Sequence, residues 1–407
     1  MLVNYVDRVN LSVSQSALHD EFGISTITFG YLLSAYSLTY AMLQLPVGVI
    51  LDRFGVKIVG RISTFLWSVA SFAAALSTGV ASLFSARLLL GIGEAPTFPA
   101  NAKATGYWFP KEERSFATSI FDAAAKLAPA LGVPIIGVLL LHFGWRKSFA
   151  FTGLVSFAYF LLFYWVYRNP SEDDKLTEAE RRLIAEGGAQ PEVAFAIREK
   201  GASLWYLLQQ RKMIGLALGF ASYNYTFYLL LTWLPSYLSS ALHIDLLHSV
   251  VYSSVPWLVA TVTDLFIGGL LVDWLVHRGH NASRVRQIVL VTGTALGMGI
   301  FGAASARTPA VAIFWISVSI GGLSAAAPVG WSIPTLIAPR ESVGRVGGIM
   351  NFFSQFSAIS APILTGYIAS ITHSFYGAFG AAAVFLLIGV MGYVFLLGRI
   401  EPIPEPT

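Results

Sequence analysis

Arg87 and Glu94 stand seven residues apart inside an otherwise apolar stretch, 80–100. On a helix that spacing is close to two turns, so both side chains leave one face, roughly 10 Å apart along the axis. Ionisable groups in a membrane helix cost several kcal/mol unless they pair or line a polar cavity. The pair therefore points to a polar pathway through a bilayer, used by an anion, a proton or both. The competing reading is a structural ion pair that holds the helix in its bundle. Burial disfavours the ionised form of a carboxylate, and a nearby guanidinium favours it. An arriving carboxylate would compete for that guanidinium, whose planar fork can donate two parallel hydrogen bonds. Anion binding and proton binding would then be linked.

The elements that position such a pair must be membrane helices. Only 12% of the 407 residues are charged and 55% are hydrophobic, against about 25% charged in a soluble domain. Mean hydropathy is +0.66. With no cysteine, disulfides, thiolate metal sites and cysteine nucleophiles are excluded. Patterns for a P-loop, a zinc protease, a serine hydrolase or an EF-hand are absent. No metal, cofactor or enzymatic activity is expected.

Apolar segments of spanning length recur at about 1–18, 28–51, 57–78, 80–104, 115–141, 146–167, 212–239, 247–274, 285–306, 308–337, 343–370 and 375–398. This predicts an all-α polytopic membrane protein with about twelve helices in two six-helix bundles. The expected divisions are a bundle over 1–167, a polar link over 168–211 with a short surface helix, a second bundle over 212–398, and a tail over 399–407. The first segment is short and already polar at Asn4–Asn10, so the first helix is expected to begin before Met1. Of the 26 Lys and Arg, 20 fall on one side of the helices, including Arg53, Lys57, Arg61, Arg278 and Arg340. The other side has only Arg146, Lys147 and Arg307, and Arg8, Arg87 and Lys126 lie within helices. The positive-inside rule places the rich side, both termini and the link in the cytoplasm. The net charge of +4 is thus a topology signal, and nucleic-acid binding is not expected.

A loop pattern repeats between the halves. Gly48, Asp52, Arg53 and Gly55 follow the second helix, with Lys57 and Arg61 behind them. Gly269 and Asp273 follow the eighth with the same Gly-to-Asp spacing, closed by Arg278. Glycine lets helices approach, and aspartate can cap a helix or pair with a basic residue across the loop. Such contacts could lock one conformation; the plainer reading is a capped turn.

The first copy, Gly48-x-x-x-Asp52-Arg53-x-Gly55-x-Lys57, resembles the loop signature of the major facilitator superfamily. The stretches Asn4–Leu11, Arg87 through Gly93-Glu94-Ala95-Pro96 to Pro99, and Trp108-Phe109-Pro110 with Glu113-Arg114 are similar to its anion:cation symporter branch. That resemblance implies a proton-coupled importer of a sugar acid or related organic anion, in a bacterial inner membrane and as a monomer. It also implies roles. Asp7 and Glu94 match proton-titrating carboxylates, with Arg8 modulating Asp7. Arg87 matches the arginine that answers to substrate or to Glu94. Tyr40, Asn351 and Trp331 match cavity residues that meet the substrate. An exchanger or exporter of the same fold, or a sensor that binds without transporting, remains open.

Some residues depart from the family pattern. Asp122 and Lys126 sit at i, i+4 near the middle of the fifth helix. Lys126 could offer a second cationic contact to a dicarboxylate, or simply pair with Asp122. Ala325–Ala327 stand where sugar-acid carriers tend to have hydroxyls. Tyr223, Asn224, Tyr225 and Tyr228 could favour a flatter acid, with Tyr225 and Tyr228 on one face, or could be packing. Asp264 could face the cavity or an inner vestibule. His142, His243 and His373 fall in or near outer loops.

Overall fold

Gly55 and Gly144 turn two uninterrupted helical runs into four rods. Both adopt positive φ (73° and 77°) with extended ψ, a conformation that side chains with a Cβ rarely take. The structure, a computed structural model, describes residues 1–110, 114–189, 202–242, 244–339 and 342–405, apart from the side chains at 45, 52, 114–116, 118, 119, 246, 247 and 250. His243 and Arg340, together with Lys111 and Glu113, lie outside the described residues, as do the side chains of Asp52 and Arg114.

No strand occurs among the described residues. The helices follow as α1 (Leu2–Val13), α2 (Gln15–Phe22), α3 (Thr26–Ala75), α4 (Val80–Glu94), α5 (Thr97–Trp108) and α6 (Arg114–Val166). The short α7 (Glu178–Glu186) and α8 (Leu204–Leu208) come next. Then come α9 (Arg211–Ala241), α10 (Leu246–Thr263), α11 (Val272–His277) and α12 (Ala282–Gly297). The series ends with α13 (Ile300–Ala304), α14 (Pro309–Ile337), α15 (Val343–Thr372) and α16 (Tyr376–Met391). With α3 and α6 divided at their glycines and consecutive short pieces joined, the described helices other than α7 and α8 group into twelve rods. The first is α1 with α2, the second and third are α3, the fourth is α4 with α5, and the fifth and sixth are α6. The seventh is α9, the eighth α10 with α11, the ninth α12 with α13, and the last three are α14, α15 and α16. A π-helical stretch, Asp264–Leu271, joins α10 to α11, and another, Gly392–Leu397, extends α16.

Seven described helices are long and apolar enough on their own to cross a membrane, and Ile120–Val166 among them holds parts of two rods. The other rods are broken or diluted by polar residues. Pro96 lacks an amide proton and interrupts the fourth rod between α4 and α5, although Ala95 and Pro96 keep helical angles. Lipid faces the opposite pattern from water. On the third rod Ile58, Ile62, Phe65 and Val69 are all exposed, an apolar stripe at i, i+3/i+4 turned outward.

Gly48 and Gly269 do not serve close helix approach here. A Cβ at Gly48 would meet nothing within 4 Å, and at Gly269 only the Asp264 carbonyl, 3.8 Å away. The basic residues of the loop pattern bind locally. Lys57 pairs with Glu172 at 2.6 Å, Arg61 donates to the Tyr164 carbonyl at 3.0 Å, and Arg278 lies 4.0 Å over the Trp274 ring. Among the described residues Asp273 forms no ion pair, and Arg278 stacks on Trp274. Arg53 lies against the Phe54 ring.

At the Lys/Arg-poor end the second and eleventh rods meet backbone to backbone. A Cβ at Gly30 would come 2.8 Å from the Pro362 carbonyl, and Ser34 donates to the Ile359 carbonyl at 2.8 Å. Gln15 and Ser236 are hydrogen bonded there, joining the first rod to the seventh. At the same end Glu21 accepts from Trp145 Nε1 at 2.5 Å and pairs with Arg146. The Trp145 and Arg146 hydrogen bonds hold the Glu21 carboxyl below its ordinary 4.5. A lowered folded-state value gives stability that is present above the ordinary value and lost as pH falls through the lowered one. Glu21→Gln should therefore lower the melting temperature slightly at neutral pH, with the gap from wild type closing on acidification. A gap that persisted unchanged in acid would remove the ionised carboxylate from that contact.

Candidate functional site

Seven acidic or basic side chains are buried among the described residues: Asp7, Arg8, Arg87, Glu94, Asp122, Lys126 and Asp264. They gather where the first, fourth, fifth and eighth rods converge. Buried charges are tolerated when paired or hydrogen bonded, and each of these except Arg87 has a close side-chain partner. Arg8 Nε donates to Glu94 Oε2 at 3.0 Å. Its guanidinium carbon lies 4.2 Å from the Tyr5 ring centroid and 4.5 Å from that of Tyr36, positions suited to cation–π attraction. Nη1 reaches Tyr228 Oη across the seam at 3.3 Å, and Nη2 has no protein partner among the described residues.

This corrects the expected geometry. Arg87 and Glu94 do share a helix, but Arg8 from the first rod takes Glu94. Two side chains leaving one helix some 10 Å apart are harder to join than side chains on facing rods. Arg87 instead turns Nη1 toward the Asp7 carbonyl at 3.4 Å and does not line the central cavity. Neither do Asp7 and Glu94. Asp7 lies behind, with Ser71 Oγ donating to Oδ1 at 3.0 Å and Ser156 Oγ to Oδ2 at 2.6 Å. Among the described residues no cation comes within ion-pair distance of Asp7. Arg8 does not contact the Asp7 side chain; its partner is Glu94.

Lys126 holds two carboxylates, Asp122 Oδ2 at 2.7 Å on its own helix and Asp264 Oδ2 at 2.8 Å from the eighth rod. Neither Asp264 oxygen has a hydrogen bond of good geometry among the described residues. Asp264 opens the π-helical stretch, an irregularity frequent at functional sites. It was visible in the sequence only as a lone acid, without its partner.

The central cavity, about 60 Å³, is lined by Arg8, Tyr40, Asp122, Lys126, Tyr223 and Asn224, and further by Trp331 and Asn351. That volume admits only a few waters, so an organic acid enters only when the rods part. Phe98 and Trp331 stack across its mouth with centroids 6.4 Å apart. Trp331, 38% exposed, lies toward the Lys/Arg-rich end of α14. Behind it Asn351 donates to Gln44 Oε1 at 3.3 Å across the seam. Tyr228 and Tyr223 face the cavity, whereas Tyr225 packs edge-on against Phe385, so the expected Tyr225–Tyr228 face is not shared. Gln44, Tyr36, Ser71 and Ser156 carried no sequence signal. A serine or tyrosine in an apolar helix looks the same whether it meets a carboxylate or a backbone carbonyl.

Comparison with known proteins agrees with this architecture. The bacterial homolog of the human lysosomal transporter Spinster, in an inward-facing and unoccupied conformation, superposes with a TM-score of 0.76 at 16% identity, covering 98% of this chain and 95% of that one. The uncharacterized transporter YybO of Bacillus subtilis (strain 168) is 37% identical over 99% of this chain and 93% of its own length. The probable galactarate/D-glucarate transporter GarP of Escherichia coli (strain K12) is 31% identical, covering 98% of this chain and 92% of its own. The model of the Major Facilitator Superfamily matches residues 1–285. Twelve rods around a polar cavity, this match and these relatives together make the chain a membrane transporter rather than an enzyme: it belongs to the major facilitator superfamily.

Proposed function

We propose that the chain imports an organic anion, a sugar acid or related carboxylate, together with protons by alternating access. The observation that carries the reading is Arg8. It faces the cavity with Nη2 unpaired while Nε holds Glu94, so an incoming carboxylate can take the guanidinium from Glu94. Glu94, left buried without its cation, then takes a proton. Asp7 is the second proton-carrying group, and Arg87 supports it from the backbone side rather than meeting substrate. Tyr40, Tyr223, Asn224 and Asn351 offer hydroxyl and amide groups to the body of the acid, and Trp331 closes over it.

In this reading the halves 1–167 and 212–398 rock about the cavity, linked through 168–211. Both termini lie in the cytoplasm of a bacterial cell, and the monomer is the working unit. The loop residues around Gly48, Asp52 and Arg53, and around Gly269, Asp273 and Arg278, would engage when the Lys/Arg-rich end closes. GarP, named for galactarate and D-glucarate, supplies the first acids to try. Proteoliposomes given an inward proton gradient and a panel of labelled acids should accumulate the accepted acid well above the level without a gradient. Uptake of an accepted acid that ignores the gradient would make the carrier an exchanger or uniporter.

A further inference from the structure

The buried charges do not cancel when all are ionised. Four carboxyl groups (Asp7, Glu94, Asp122, Asp264) face three cations (Arg8, Arg87, Lys126). Among the described residues the carboxyl with no cation at ion-pair distance is Asp7, between the two serine hydroxyls, so the excess negative charge is cancelled when Asp7 holds its proton, with one hydroxyl then accepting. Apart from Arg87, which turns to the Asp7 carbonyl, the other charges form two candidate exchange sites at one cavity, lined by Arg8 and by Lys126 with Asp122. One is Arg8 with Glu94. The other is Lys126 with Asp122 and Asp264.

We propose that the Lys126–Asp264 contact is a second anion-for-carboxylate exchange site, which takes the distal acid group of a dianionic substrate and loads Asp264 with a proton. This rests on the symport reading given above for Arg8 and Glu94. Lys126 lines the cavity; Asp264 does not. An acid group arriving from the cavity therefore meets the ammonium from the side opposite Asp264. Asp122 shares a helix with Lys126 and itself borders the cavity, so it stays with the ammonium in every conformation. Asp264 belongs to the eighth rod, contacts Lys126 across the seam and lacks other hydrogen bonds of good geometry.

The groups around Asp264 leave little alternative. From α6 it faces Lys126 and Asp122, and from α9 Tyr223. The α14 helix packed beside it contains no ionisable residue. Once the ammonium is occupied, no other cation among the described residues acts on Asp264, and a carboxylate stripped of its partner in a buried site is neutralised by a proton. The proton comes from the aqueous side to which the cavity is open. A monoanion held at Arg8 leaves the second site unchanged. A second acid group on the substrate thus adds one proton to those carried.

D-Gluconate and D-glucarate differ only in the acid at the sixth carbon, and proton uptake on binding can be read with a pH-indicator dye on the purified full chain. Wild type should take up about one proton more with D-glucarate than with D-gluconate. Equal uptake, or D-gluconate binding without D-glucarate binding, overturns the proposal. D-Gluconate binding with no proton uptake at all would sink the symport reading at Arg8 and Glu94 instead, so the two failures are distinguishable. Removing the pair without changing net charge, in Lys126→Gln with Asp264→Asn, should cut the preference for D-glucarate over D-gluconate at least about 30-fold. Equal loss on both acids would leave the pair a structural strut. If the double variant does not fold, the wild-type difference alone decides.

Discussion

Arg8→Gln is expected to bind its organic acid about 30- to 1,000-fold more weakly and to transport none above background. Truncating one partner of a buried, hydrogen-bonded charge pair costs about 2–4 kcal/mol, and each 1.4 kcal/mol is tenfold in affinity. In this chain the loss is compounded. Arg8 is fixed between the Tyr5 and Tyr36 rings and bonded to both Glu94 and Tyr228, so a neutral amide loses the stacking as well as the charge. Arg8→Lys should recover part of the binding but not the forked geometry, because an ammonium is a point donor. Arg87→Gln provides the contrast. Arg87 touches the Asp7 carbonyl rather than the cavity, so its loss should depress proton-driven accumulation more than acid affinity. Isothermal titration of the accepted acid against the three variants decides the matter. Near wild-type affinity in Arg8→Gln would remove Arg8 from the substrate site.

Glu94→Gln should separate binding from driving. An amide is close to the shape of a protonated glutamate but cannot release the proton. The variant resembles the loaded state, keeps Arg8 free for an anion, and should exchange labelled for unlabelled acid at rates within about threefold of wild type. Accumulation driven by an inward proton gradient should fall at least tenfold, because the step that couples the gradient to the anion is gone. Counterflow and net uptake, measured on the same vesicles, read both halves of this expectation. Full gradient-driven uptake would take the coupling away from Glu94 and leave Asp7 or Asp264 to carry it.

Much of the architecture follows from composition and periodicity. The turn glycines, the twelve apolar rods and the polar interruption after residue 167 are written in short-range pattern, which a single sequence displays. The site was partly legible for the same reason: an ionisable side chain in an apolar helix is conspicuous, and Arg8, Arg87, Glu94, Lys126 and Asp122 all stand out. Their pairing was not. Arg87 and Glu94 looked like partners because they share a helix, yet Glu94 is bonded to Arg8 from a segment 86 residues away. Asp264 gave no hint of Lys126, since their contact crosses between rods that no local pattern relates. The serines around Asp7 were invisible because their chemistry comes only from what faces them. The loop repeat allowed a helix approach, but Gly48 meets nothing and Gly269 only the Asp264 carbonyl, and only the positive φ of Gly55 was demanded locally.

The tally of buried carboxyl groups against buried cations also bears on membrane voltage. Moving one elementary charge through a potential costs or yields about 2.3 kcal/mol per 100 mV. With a proton on Asp7 the buried groups among the described residues number three positive and three negative, and a carrier that returns in that state does no electrical work with them. Hyperpolarising a vesicle should therefore leave the unloaded half of the cycle at its own pace.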